Sequence, residues 1–266
     1  MDKIQTSAFG RSPVHEAAVR QGFYAAEGLE VTTDVTQASK TQVQQLVNDV
    51  WQIVSTNADN IVWWVEDNGA DLLIVMATET QPNQNFVVRP EIAGYADVRG
   101  KVLAADAAKS GYSTPLRLLL QREGLTEDKD DFTFIEVGST EHRVEAMRVG
   151  QAVGAMINAG GERSLTPDGF HVLDSINPLY AHYAGISAVR RSWANEHPDL
   201  LVRYLRAYLR AVVSTKDAAD ATPPRFSWEG LQEMLDMRRE VGLLRGARDP
   251  RRFADDRFYR EAVAGL

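Results

Sequence analysis

The chain has 266 residues, 44% of them apolar and 25% charged; this composition suits a buried core, and the length favours two lobes over one. A formal net charge of −8, with no basic run interleaved with aromatics, argues against nucleic acid or an anionic membrane as the main partner. There is no cysteine, which removes disulfides, thiolate nucleophiles and cysteine-held zinc, and no apolar run approaches the roughly 20 residues needed to span a bilayer.

The opening "MDKIQTSAF" lacks a basic stretch followed by an apolar one, and Ile4, Thr6 and Ala8 alternate as in a strand. A cytoplasmic protein, or an exported one whose signal has been removed, would both begin this way. Next, "SPVHEAAVRQGFYAAEG" reads as a helix with Ser12 as N-cap, Pro13 in the first turn and Gly28 beyond the end. "EVTTDVT" is a strand by its β-branched residues, "SKTQVQQLVND" a helix, "WQIVST" a buried strand, "ADNIVWWVEDNG" a helix and "DLLIVMATE" a strand. "NQNFVVRPEI" continues extended, and "YADVRG" turns into a second series. That series is strand "KVLAAD", helix "SGYSTPLRLLLQREG", strand "DFTFIEV", helix "STEHRVEAMRVG", then strands "QAVGAMIN" and "FHVLD". "YAHYAGISAVR" reads as a strand returning to the first lobe, followed by helices at "RSWANEH", "PDLLVRYLRAYLRAVVSTKDA", "SWEGLQEMLDMRREVGLL" and "DRFYREAVAGL". "DATPPRF" is the clearest break among them. The strands are nearly continuous apolar runs, as in a sheet covered by helices on both faces.

One unit occurs twice. A small, hydroxyl-bearing loop (Ala38, Ser39, Thr41; Gly138, Ser139, Thr140) opens a helix with apolar residues at helical spacing (Val43, Leu46, Val47; Val144, Met147). A tight turn then leads to a buried strand ending in small polar residues (Ser55, Thr56, Asn57; Asn158, Gly160, Gly161). Free backbone N–H groups and the positive end of the helix dipole point out of such loops, so two copies facing each other can clamp an anion or a hydrogen-bond acceptor.

Four motifs in order carry a family resemblance over about the first 215 residues. "PVHEAAVRQGFYAAEGLEV", "YADVRGKVLAADAAKSGYSTPLRLLLQREGL", "RVEAMRVGQAVGAMIN" and "WANEHPDLLVRYLRAYLRA" resemble the NMT1/THI5-like branch of the type 2 periplasmic substrate-binding proteins of ABC importers, near the aliphatic sulfonate, taurine and nitrate binders. Gly154 stands where the family often has an acidic residue, and the final helices do not align.

The resemblance implies an α/β, two-lobed fold, each lobe a mixed sheet flanked by helices, with a ligand cleft between the lobes. Residues 1–80 with 185–266 would form one lobe and 81–184 the other, hinged near Glu79 to Phe86 and near Tyr183 to Ser187. By position, the first lobe would offer Phe9, Arg11, Ser12, Ser39, Lys40, Thr41, Thr56, Asn57 and Asp59 to the ligand. The second would offer Ser110, Tyr112, Ser113, Thr114, Arg143 and Asn158. Arg11, Lys40 and Arg143 among them suggest a small organic anion such as a sulfonate or carboxylate. The expected protein is a monomer without cofactor or metal; if exported, it is periplasmic or a cell-surface lipoprotein whose partner is an ABC transporter permease.

Enzymes on this fold need chemistry that the sequence scarcely offers. Ser55 and Asp59 stand where the yeast-type pyrimidine synthases place a pyridoxal phosphate lysine and a histidine. His15, His142, His171, His182 and His197 show no metal spacing. The remaining alternatives are a decarboxylase or lyase acting on an aromatic acid, with His15 and Asp59 as acid and base, and a cytoplasmic ligand sensor.

Overall fold

Short apolar runs rich in β-branched residues form the strands, and the amphipathic runs between them form helices. The computed structural model describes residues 1–78, 83–178, 185–215, 224, 227–246 and 249–266. The first half comprises β1 (Asp2–Ala8), α1 (Pro13–Arg20), α2 (Phe23–Ala26), β2 (Leu29–Val35), α3 (Ser39–Val47), β3 (Ile53–Asn57), α4 (Ala58–Asn68) and β4 (Leu72–Ala77). The second comprises β5 (Gln84–Val88), α5 (Tyr95–Val98), β6 (Lys101–Ala105), α6 (Ser113–Arg122), β7 (Phe132–Glu136), α7 (Thr140–Arg148), β8 (Gly154–Asn158), α8 (Ala159–Leu165) and β9 (His171–Ser175). Then follow β10 (Gly185–Arg190), α9 (Arg191–Glu196), α10 (Pro198–Ser214), α11 (Trp228–Glu240) and α12 (Arg257–Ala264).

The strands make two five-stranded sheets, ordered β2-β1-β3-β10-β4 and β7-β6-β8-β5-β9. Both are mixed. In the first sheet β10 runs antiparallel to β3 and β4, and in the second β5 runs antiparallel to β8 and β9. These are the strands that follow each passage of the chain from one sheet to the other, and their registers match: Gly185 opposes Asn57, and Gln84 opposes Asn158. The expected hinge residues 79–82 and 183–184, and the break at residues 220–223 and 225–226, lie outside the described residues.

Helices α1, α10 and α12 bury one face of the first sheet, with Leu201, Leu205, Tyr208, Leu209 and Val212 of α10 along one stripe at helical spacing. Helices α7 and α8 cover the outer face of the second sheet through Val144, Met147 and Leu165. A third, larger cluster is continuous from sheet to sheet, joining Ile61 and Val65 of α4, Leu116 and Leu119 of α6, and Leu231, Met234 and Leu235 of α11. Helix α11, which the family motifs leave unaligned, therefore packs on both α4 and α6.

Helix α8 departs from the sequence reading, which took Asn158, Gly160 and Gly161 as the small polar end of a strand. The Asn158 side chain accepts a hydrogen bond from the Gly161 N–H at 3.0 Å and caps the helix. Gly161 is required for close packing rather than for a turn, since a Cβ there would lie 2.6 Å from Ile157 and from Thr140. The short helices α2 and α5 were likewise read as part of a longer helix and as a turn.

Candidate functional site

Parallel strands deliver their C-terminal ends, and the N-termini of the helices that follow, to one edge of each sheet. The loops after β1, β3, β6, β7 and β8 meet there around a cleft of about 570 Å³. Of the expected residues, Phe9, Arg11, Ser12, Thr56, Asn57, Tyr112, Arg143 and Asn158 line it.

The others do not. Lys40 and Thr41 are exposed on the first turn of α3, and Ser39 is buried beneath them. Ser110, Ser113 and Thr114 turn inward: the Ser113 hydroxyl donates to the Ala107 carbonyl at 2.6 Å and the Thr114 hydroxyl to the Ser110 carbonyl at 2.9 Å. Asp59 is buried against Arg238 of α11, 2.8 Å from Oδ1 to Nη1.

The cleft is built around Arg143. This side chain is 1% exposed; Nη1 donates to the Gly138 carbonyl at 2.8 Å and Nη2 to the Thr140 hydroxyl at 2.9 Å. Its guanidinium lies 4.2 Å from the centre of the Tyr112 ring, a cation–π contact, and its Nε has no partner. Both hydrogen bonds thus end on neutral oxygens. Burial lowers its pKa, against which Tyr112 and Asp106 act.

Asp106 and Tyr208 also line the cleft, and sequence reasoning missed both. Asp106 is 6% exposed, and one of its oxygens accepts the Ser39 N–H at 3.3 Å. Burial raises its pKa, opposed by Ser39 and Arg143. Its signal was its place at the end of "KVLAAD", where a parallel strand delivers side chains to a ligand. Tyr208 gives no such signal, because on α10 it falls in the apolar stripe.

The loops of the two sheets touch across the cleft. Ser139 N–H donates to the Gln37 carbonyl at 2.8 Å, Gly111 N–H to Asn60 Oδ1 at 3.2 Å, and Lys109 pairs with Asp67. Glycine is needed at Gly138, where φ is +93° and a Cβ would lie 2.8 Å from that same Gln37 carbonyl.

His15 does not line the cleft. Its Nδ1 is 3.2 Å from the Tyr24 hydroxyl and its Nε2 is 2.9 Å from that of Thr33. Burial lowers its pKa, while the unfolded chain titrates near pH 6.5. Below about that pH the unfolded state binds more protons, so the stability contributed by the neutral ring is lost as pH falls. Urea unfolding across about pH 7 to 5 should show a decline in stability that is shallower in His15→Gln. Equal slopes in both proteins would assign the decline to other groups. Among the described residues no cluster of three or more His, Asp or Glu could hold a metal ion, and no helix is long and apolar enough to cross a membrane.

The NMT1/THI5 like family model matches residues 16–221. Among solved structures the chain is similar to a protein from Bordetella bronchiseptica, at 17% identity and TM-score 0.83 over 100% of this chain and 98% of the other. It is also similar to the alkanesulfonate-binding protein SsuA from Xanthomonas axonopodis pv. citri bound to MOPS, at 17% identity and TM-score 0.76 over 96% and 99% of the two chains. A third is the desulfurization enzyme DSZB, at 13% identity and TM-score 0.70 over 100% and 99%. These identities speak for a shared fold. No curated protein matches the chain.

Proposed function

Because the chain belongs to the NMT1/THI5-like family, whose model covers residues 16–221, we propose that it is the substrate-binding component of an ABC importer, closing two lobes on a small organic anion such as a sulfonate or carboxylate. The observation that carries this reading is Arg143, a buried guanidinium on the cleft wall whose hydrogen bonds satisfy no negative charge. The N-termini of α4, α7 and α8, reached through Asn57, Thr140 and Asn158, add backbone donors around it. The fold is shared with an alkanesulfonate-binding protein. In this reading residues 1–80 with 185–266 move against 81–184, the contacts at Gln37, Asn60 and Asp106 belong to the closed form, and the protein works in the periplasm beside a permease.

Thermal-shift screening against sulfonates and carboxylates tests the proposal, since a ligand at about 100 times its Kd stabilises the folded state by about 2.7 kcal/mol. A panel in which no acid raises the melting temperature would refute it. Closure has a separate test at Gly111, where an added Cβ would lie 2.5 Å from that of Asn57 across the cleft. Gly111→Ala should weaken ligand binding by about tenfold or more, by wedging the lobes apart. The melting temperature of the free protein should change little. Unchanged affinity would mean that the ligand is held without this contact.

The shared fold of DSZB favours a second reading, an enzyme. Its proposed acid and base are poorly placed for it: Asp59 is held by Arg238, and His15 by Tyr24 and Thr33, away from the cleft lining. Incubating the identified ligand with the protein and weighing it by mass spectrometry separates the two, because a binding protein returns it intact.

A further inference from the structure

Two buried charges of opposite sign share the cleft: Arg143, 1% exposed, and Asp106, 6% exposed. They attract one another without forming an ion pair, since Arg143 gives its hydrogen bonds to the Gly138 carbonyl and the Thr140 hydroxyl. Asp106 has a neutral partner instead. Ser39, fully buried at the start of α3, donates its N–H to this carboxylate and is the strongest influence keeping it ionised, with Arg143 next. Burial outweighs both and raises the Asp106 pKa. The other charged or titratable groups on the surrounding elements keep their water: Glu136 on β7, Glu141 and His142 on α7, Lys40 on α3 and Arg11 in the loop after β1 are exposed, and the Tyr112 ring lies against Arg143.

With the cleft empty, the two buried charges cancel. An anion closed in beside Arg143 brings the buried charge to about −1, and an uncompensated buried charge is costly. A proton on Asp106 restores neutrality. Resting on the anion-binding reading above, we propose that the cleft takes up its anion together with one proton, and that Asp106 is the site of that proton. The protonated carboxyl keeps an oxygen for the Ser39 N–H and gains an O–H that can donate to the anion. A proton held more tightly in the complex than in the free protein makes binding strengthen as pH falls, from above the Asp106 pKa of the complex down to that of the free protein, and level off below it.

Calorimetric titration with methanesulfonate, propanesulfonate and benzenesulfonate tests this, because these acids stay ionised from about pH 8 to about pH 5.5. Over that range the wild-type affinity should rise about tenfold or more, and buffers of different ionisation heat should reveal about half a proton or more taken up per anion. In Asp106→Asn, which keeps an acceptor for Ser39, both effects should vanish, and the affinity at about pH 8 should match or exceed that of the wild type at about pH 5.5. His142→Gln should behave as the wild type does, which separates Asp106 from the nearby histidine. A flat profile without proton uptake in the wild type overturns the inference and leaves the anion-binding function standing. So does uptake that survives in Asp106→Asn or disappears in His142→Gln, or weaker binding by Asp106→Asn than by the wild type at about pH 8. If no sulfonate or carboxylate binds at any of these pH values, the proposed function fails and the inference with it.

Discussion

Arg238→Met is expected to cost the fold about 3–5 kcal/mol, the usual penalty for removing one partner of a buried ion pair. Arg238 is 0% exposed and reaches in two directions: its Nη1 lies 2.8 Å from Asp59 Oδ1 at the start of α4, and 3.2 Å and 3.3 Å from the Lys109 carbonyl and the Thr114 hydroxyl beside α6. Methionine keeps the stem and removes the charge, so Asp59 remains buried without its cation. Burial already raises the Asp59 pKa, and Arg238 is the main influence holding it down. The variant should therefore recover stability as pH falls toward about 4, because protonation then neutralises Asp59 in the folded state more than in the unfolded chain. Arg238→Met combined with Asp59→Asn should cost less than the two single changes added together. Urea unfolding at a series of pH values measures all of this, and a single-variant loss below about 1 kcal/mol would show that the pair contributes little.

The second large effect is expected in binding. Arg143→Ala should weaken the anionic ligand by about 2–5 kcal/mol, roughly 30-fold to several thousand-fold, mostly through faster dissociation. Arg143→Lys should restore only part of this, because an ammonium cannot at once reach the Gly138 carbonyl, the Thr140 hydroxyl and the Tyr112 face as the planar guanidinium does. Tyr112→Phe, which keeps the ring, should bind nearly as the wild type does. Titration calorimetry with the ligand found by thermal shift decides the matter, and full affinity in Arg143→Ala would remove this residue from the site.

The alternation of strand and helix was legible because apolar runs and amphipathic periods are local signals, and Asn57, Arg143 and Asn158 could be placed because strand ends and first helical turns are local too. What lay beyond reach depends on tertiary contacts. Ser110, Ser113 and Thr114 resemble loop donors in sequence, but Ser113 and Thr114 give their hydroxyls to the Ala107 and Ser110 carbonyls ahead of α6, and the Ser110 hydroxyl accepts the Ser113 N–H. Asp59 sits in the first turn of the expected helix and is claimed by Arg238, 179 positions later, a pairing that no local pattern announces. Lys40 was grouped with Arg11 and Arg143 by charge, yet the helical period turns it to solvent while Ser39, one position earlier, is buried. Helix α8 was hidden by Gly160 and Gly161, whose low helix propensity is outweighed by the capping Asn158 and by close packing on α7.

The matched registers of the crossing strands bear on how fast a ligand would leave. Gly185 of β10 is paired to Asn57 and Gln84 of β5 to Asn158, so the first residue of the strand that follows each passage is paired through the backbone to a residue on the cleft wall of its own lobe. In the proposed cycle, a partner that pulls the lobes apart displaces both asparagines together, each through the strand paired to it. Grip would then be lost as one event rather than contact by contact. The expected signature is a single dissociation rate with no partly held intermediate, accelerated as a whole when the permease engages.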